Sequence, residues 1–185
     1  MGGSISFQPN PETRGSIFSF TAKLRRLEGI DQVDQILVNL KTPPHSQFHE
    51  TMARIKEVAP GKRVLLAEDN FINRKVMTLI LKGLCFSRVD LALDGMEAVA
   101  KASDDPLFYD LILMDVSMPL LDGVSATIKL RGMGVDTPII AMTANALGED
   151  VQSYLAQGMN DHVAKPVDRQ ILMEALLKWV GQERN

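Results

Sequence analysis

Four short segments, each closing an apolar run, carry residues that together can do chemistry. They are Glu68 and Asp69 after the run 64–67, Asp115 after 111–114, Thr143 after 139–142, and Lys165 followed by Pro166 after 162–164. Three acids, a hydroxyl and an amine suit the handling of a phosphoryl group with a divalent metal. A carboxylate can attack phosphorus and give an acyl phosphate. The rest of that chemistry is positioning and charge neutralisation. Mg²⁺ takes oxygen ligands and usually keeps several waters, which Glu68, Asp69 and Asp115 would accommodate. Without a cation, their mutual repulsion would be costly. Lys165 offers a point charge, and Thr143 a short donor, for phosphoryl oxygens.

These residues reach one place only if the runs before them are strands of one sheet. Four to five apolar residues separated by helical patterns read as buried parallel strands. In an open α/β sheet the carboxyl ends of such strands line the ligand crevice. The segment 88–92 supplies the second strand. The helices between are placed by caps and breakers. Asn70 caps a pattern of Val76, Leu79, Ile80 and Leu84 that ends near Gly83. Asp94-Gly95 opens the next helix, and Asp104-Asp105-Pro106 closes it. Val124, Ile128 and Leu130 mark a third, stopped by Gly132 and Gly134. The fourth covers 147–157, and the fifth covers 168–179, with Asp168 as N-cap and Leu172, Leu176 and Trp179 on one face. Five alternations of strand and helix predict an α/β fold, a doubly wound five-stranded parallel sheet with right-handed crossovers.

The motifs Leu65-Leu-Ala-Glu-Asp-Asn70, Leu113-Met-Asp-Val-Ser-Met-Pro119 with Asp122-Gly123, Ala141-Met-Thr-Ala-Asn145 and Gly158-Met-Asn-Asp-His-Val-Ala-Lys-Pro166 make residues 62–180 resemble the receiver domain of two-component response regulators. That resemblance implies the flavodoxin-like (βα)5 fold. It implies that Asp115 is the phosphoacceptor and that Glu68, Asp69, Asp115 and the backbone carbonyl of Ser117 hold Mg²⁺. Thr143 becomes the switch hydroxyl and Lys165 the phosphoryl-pairing lysine. The switch aromatic, usually Tyr or Phe three residues before the lysine, is His162 here. An imidazole changes charge near neutral pH as those rings do not. The form Glu68-Asp-Asn70, followed by Asn73-Arg74, is similar to receivers attached to hybrid histidine kinases. The implied partners are a histidine kinase or a histidine phosphotransfer protein.

Two other readings fit part of the pattern. A phosphohydrolase of the haloacid-dehalogenase type also uses an Asp nucleophile, a hydroxyl and a Lys after successive strands. It wants a second Asp two residues past the nucleophile, where this chain has Ser117, and its metal-binding acids after the lysine. A receiver-like interaction module that is never phosphorylated would not need every site residue intact.

The preceding sixty residues divide in two. Residues 1–26 alternate around a Pro9-Asn-Pro11 turn, a β-hairpin signature with Phe18, Phe20, Ala22 and Leu24 on one side. They resemble the tail of a histidine-kinase ATPase domain without its nucleotide-gripping motifs. No ATP binding and no kinase activity are therefore expected from this chain. Residues 27–60 read as a linker with two amphipathic patterns, Ile30, Val33, Leu37, Leu40 and Phe48, Met52, Ile55, Val58 or Ala59. Either helix could dock or form a homodimer. The receiver is assigned to 61–185. His49-Glu50 reads as a solvated linker pair, and Gly132-Met-Gly134 as a turn.

Bulk properties are consistent with this. The 185 residues are 45% hydrophobic, enough for a proper core, and the net charge of −3 gives no argument for nucleic acid. Residues 61–185 hold 13 basic and 17 acidic side chains, fitting a metal-binding acid cluster. The lone Cys85 excludes an intramolecular disulfide and suits a reducing cytoplasm, with any membrane anchor on a parent kinase. No apolar stretch approaches the roughly 18 residues of a membrane span. Five residues follow Val180, so the expected receiver acts by contact or by passing its phosphoryl group on.

Overall fold

A computed structural model describes residues 3–9, 16–22, 45–105, 108–144 and 148–181. The chain forms two compact units, 1–42 and 43–185. In the first, β1 (Gly3–Pro9) pairs antiparallel with β2 (Ser16–Ala22), Ile5 opposite Phe20 and Phe7 opposite Phe18, as the alternation predicts. The expected helix around Ile30 to Leu40 lies outside the described residues, as does Leu24.

The second unit runs α1 (His45–Val58), β3 (Arg63–Ala67), α2 (Phe71–Gly83), β4 (Arg88–Ala92), α3 (Gly95–Asp104), β5 (Leu111–Asp115), α4 (Gly123–Gly132), β6 (Ile139–Thr143), α5 (Gly148–Ala156), β7 (Asp161–Ala164) and α6 (Arg169–Val180). All strands of its sheet are parallel, in the order β4-β3-β5-β6-β7. The direction of winding reverses between β3 and β5. That switch point is where open α/β sheets bind ligands.

The sheet separates two apolar layers. One joins α1, α2 and α6 through Ile55, Leu81, Leu84, Leu172 and Leu176 to Val64, Leu66 and Leu113. The other joins α3, α4 and α5 through Ala98, Ala126, Leu130 and Tyr154 to Leu65, Ile112 and Ala141. Alternate residues of each strand thus serve opposite layers, as the pleat requires. Strand β5 is buried along its whole length, and edge strand β4 is mostly exposed.

Helix starts follow the side-chain caps. Asn70 Oδ1 accepts from the amides of Ile72 and Asn73, Asp94 from Glu97, Asp122 from Ser125, and Asp168 from Gln170 and Ile171. The face of α2 differs from expectation in part: Leu84 is fully buried and Ile80 packs on the core, as the spacing predicts. Val76 and Leu79 are exposed, and Met77 and Leu81 are buried. The apolar arc of that helix covers more than half its circumference, with Arg74, Lys75, Thr78 and Lys82 on the remaining side, so spacing alone does not fix its centre. On α4, Ile128 is likewise exposed, while Ala126, Thr127 and Leu130 point inward.

The boundary at residue 60 also moves. Helix α1, read as part of the linker, packs on α6. Ile55 and Ala59 are fully buried, Gln170 Nε2 lies 3.4 Å from Thr51 Oγ1, and the Arg169 guanidinium stands 5.9 Å from the Phe48 ring. The apolar face offered for homodimerisation through residues 27–60 is, in its described part, spent inside this unit. Among the described residues no helix is long and apolar enough to cross a membrane.

Candidate functional site

The carboxyl ends of β3, β5, β6 and β7 deliver the expected groups to one crevice. Asp115 is the last residue of β5 and is buried. Its Oδ1 accepts from the Ser117 amide at 3.1 Å, and its Oδ2 meets Lys165 Nζ at 2.7 Å. The same ammonium donates to Glu68 Oε2, also at 2.7 Å. Lys165 therefore bridges two buried carboxylates from strands on either side of the switch point. It reaches them from just past β7, where the amide of Lys165 donates to the Thr143 carbonyl.

Both Lys165 and Asp115 are shifted upward, for different reasons. Burial alone would lower the Lys165 pKa, but hydrogen bonds to Asp115 and Glu68 outweigh it and hold the ammonium charged. For Asp115, burial dominates and raises the pKa, with Glu68 adding to the rise. The Lys165 and Ser117 bonds oppose that rise without cancelling it.

Glu68 is fixed from its other side. Its Oε1 accepts from Asn73 Nδ2 at 3.1 Å and from the Asn70 amide at 3.3 Å. Arg74 clamps the turn, donating to the carbonyls of Glu68 at 2.7 Å and Asp69 at 2.9 Å. Asn73 and Arg74, three and four residues after Asn70, are thus turned back onto the Glu68-Asp69 loop by the first turn of α2. Asp69 is exposed, and ligand oxygens of Glu68, Asp69 and Asp115 all lie within 4.8 Å of one another. An all-oxygen set at that spacing, open on the Asp69 side, fits a hard divalent cation such as Mg²⁺.

Gly123 brings the next turn hard against Asp115. A Cβ there would stand 2.1 Å from the Asp115 carbonyl oxygen, and its own amide bonds the Val116 carbonyl at 3.0 Å. Only glycine tolerates that approach. Thr143 ends β6, buried, with its hydroxyl 3.3 Å from the phenol of Tyr154 on α5, a residue without a sequence signal. His162 is half-buried on β7. Its Nδ1 lies 3.9 Å from Asp161 Oδ1, and Asp161 also accepts from Lys178 and Trp179 of α6. Ser117 is exposed, and it is its amide that bonds Asp115.

The sequence profile of the response regulator receiver domain matches residues 64–177. The chain belongs to the response regulator receiver family. Two-component system protein A of Emericella nidulans is 44% identical over 181 residues, which is 98% of this chain and 26% of that relative. The chain thus spans about a quarter of that relative's length. The receiver domain of a sensor histidine kinase from Pseudomonas aeruginosa, solved with a magnesium ion in its active-site cleft, is 45% identical, with a TM-score of 0.59 over 66% of this chain and 99% of that one. The receiver of the Saccharomyces cerevisiae regulator Ssk1, solved with the phosphotransfer protein Ypd1, is 28% identical at TM-score 0.61, over 66% of this chain and 90% of that one. Like these relatives, this receiver is a module of a two-component phosphorelay with the flavodoxin-like (βα)5 fold.

Proposed function

We propose that Asp115 is the phosphoacceptor of this receiver, taking a phosphoryl group from a phosphohistidine on a histidine kinase or a histidine phosphotransfer protein. The observation that carries the reading is the bracketing of one buried carboxylate by an ammonium at 2.7 Å and by two further acids within 4.8 Å. An Asp115 oxygen attacks phosphorus in line, the P–O bond forms as the P–N bond breaks, and the leaving imidazole takes a proton from solvent. The product is an acyl phosphate. Glu68, Asp69, Asp115 and the Ser117 carbonyl would hold Mg²⁺, which supplies positive charge against the crowded oxygens. Lys165 moves its pairing from the Asp115 carboxylate to the phosphoryl oxygens, and the Thr143 hydroxyl donates to another. His162, on the same face of β7, is the side chain proposed to respond.

The phosphotransfer partner of the yeast receiver supports a partner of the same chemistry here. The fungal relative, of which this chain spans 26%, supports a longer protein as its source; we read that protein as a cytoplasmic hybrid kinase, with 1–26 the end of its ATPase domain. Incubation with a small phosphodonor and Mg²⁺ should add one phosphoryl group by intact-mass spectrometry, and Asp115→Asn should prevent it. Equal labelling of the variant would move the acceptor elsewhere.

A further inference from the structure

The hydroxyl that must reach the phosphoryl group is already engaged. Thr143 Oγ1 and the Tyr154 phenol are 3.3 Å apart, and either can be the donor. A threonine hydroxyl has one hydrogen to give. If it goes to Tyr154, it is withheld from a phosphoryl oxygen. If Tyr154 donates instead, the Thr143 oxygen is anchored toward α5. Either way, turning toward Asp115 breaks this bond. Thr143 is 3% exposed and Tyr154 packs into the layer beneath α5, so water does not freely replace what is lost.

Register places the rest of the device on the same face. Ala141 pairs with His162 and Thr143 with Ala164, so Thr143, Ala141 and His162 share one side of the sheet with α5 over it. The aromatic partner of the switch hydroxyl thus comes from the helix above the sheet.

Resting on the assignment of Asp115 and Thr143, we infer that Tyr154 is a positioning residue that latches Thr143 in the unphosphorylated arrangement. Phosphorylation must release that latch, which frees α5 at one point along its length. Tyr154→Phe removes the phenol oxygen and keeps the ring, so the layer stays filled. It should tilt the resting equilibrium toward the phosphorylated arrangement by roughly three- to tenfold, the range of one neutral hydrogen bond.

The test is a titration of Mg²⁺-loaded protein with beryllofluoride, a phosphoryl mimic, followed by the Thr143 methyl resonance. Tyr154→Phe should bind the mimic roughly three- to tenfold more tightly than the parent. In metal-free protein without the mimic, its Thr143 methyl resonance should already be displaced toward the position of the parent complex. In a Thr143→Val background, followed at the Ser117 amide, Tyr154→Phe should change nothing. Equal or weaker binding by Tyr154→Phe overturns the latch, as does an effect that survives in Thr143→Val. A parent that binds no beryllofluoride overturns the reading of the site and the latch with it, which separates the two failures.

Discussion

Replacing Lys165 by methionine tests whether one ammonium holds the empty crevice together. At 2.7 Å from each of two carboxylates, and at an effective dielectric near 20, each attraction is about 6 kcal/mol before desolvation. Most of that offsets the burial of the charges. The Glu68 and Asp115 side chains are 2% and 5% exposed, and Lys165 is 21% exposed. Removing one member of a buried pair costs about 3–5 kcal/mol, because the survivors stay buried and unpaired. With Lys165 partly solvated, the lower end applies, and two acids then face each other with no cation between them. A loss of about 3 kcal/mol corresponds to a drop of roughly 10 °C for a unit of this size. Thermal melts in chelator should show that drop for Lys165→Met, and Mg²⁺ should raise the variant's midpoint by more than the parent's. Lys165→Met melting with the parent in chelator would refute the argument that the ammonium offsets the carboxylates.

Three further outcomes are expected. Asp122 titrates below its ordinary 3.8, chiefly because the Ser125 amide bonds its carboxylate, so its contribution is present above pH 3.8 and fades as pH falls through the lowered folded value. Asp122→Ala should therefore cost about 1 kcal/mol at neutral pH and close to nothing in strong acid, by denaturation across pH. Ile55→Ala, in a fully buried position of α1, should cost about 3 kcal/mol by urea unfolding; a cost below 1 would mean α1 does not belong to this core. Gly123→Ala must displace the Asp115 carbonyl, so phosphodonor labelling should slow at least tenfold and the melting point should fall; full labelling at the parent rate would contradict the contact.

The crevice was legible because each strand is a short apolar run whose first polar residue lines it. Burial fixes the run, and the crevice lies where burial stops. The caps Asn70 and Asp168 were visible for a similar local reason. The buried face of α2 was legible only in part, since Ile72, Val76, Met77, Leu79, Ile80 and Leu81 spread over an arc wider than the core contact, opposite Arg74, Lys75, Thr78 and Lys82. The α1 pattern was read, but its target, α6, lies more than a hundred residues on. Tyr154 carried no signal either: a Tyr on a helix is ordinary until the fold sets its oxygen against Thr143.

The position of α1 bears on how such receivers are moved between proteins. The family profile begins at residue 64, yet Ile55 and Ala59 are sealed into the same layer as Leu172 and Leu176. A graft cut at the profile's edge would carry a bare apolar trench along α6 and would be prone to self-association. A cassette that keeps this core whole includes α1 from His45.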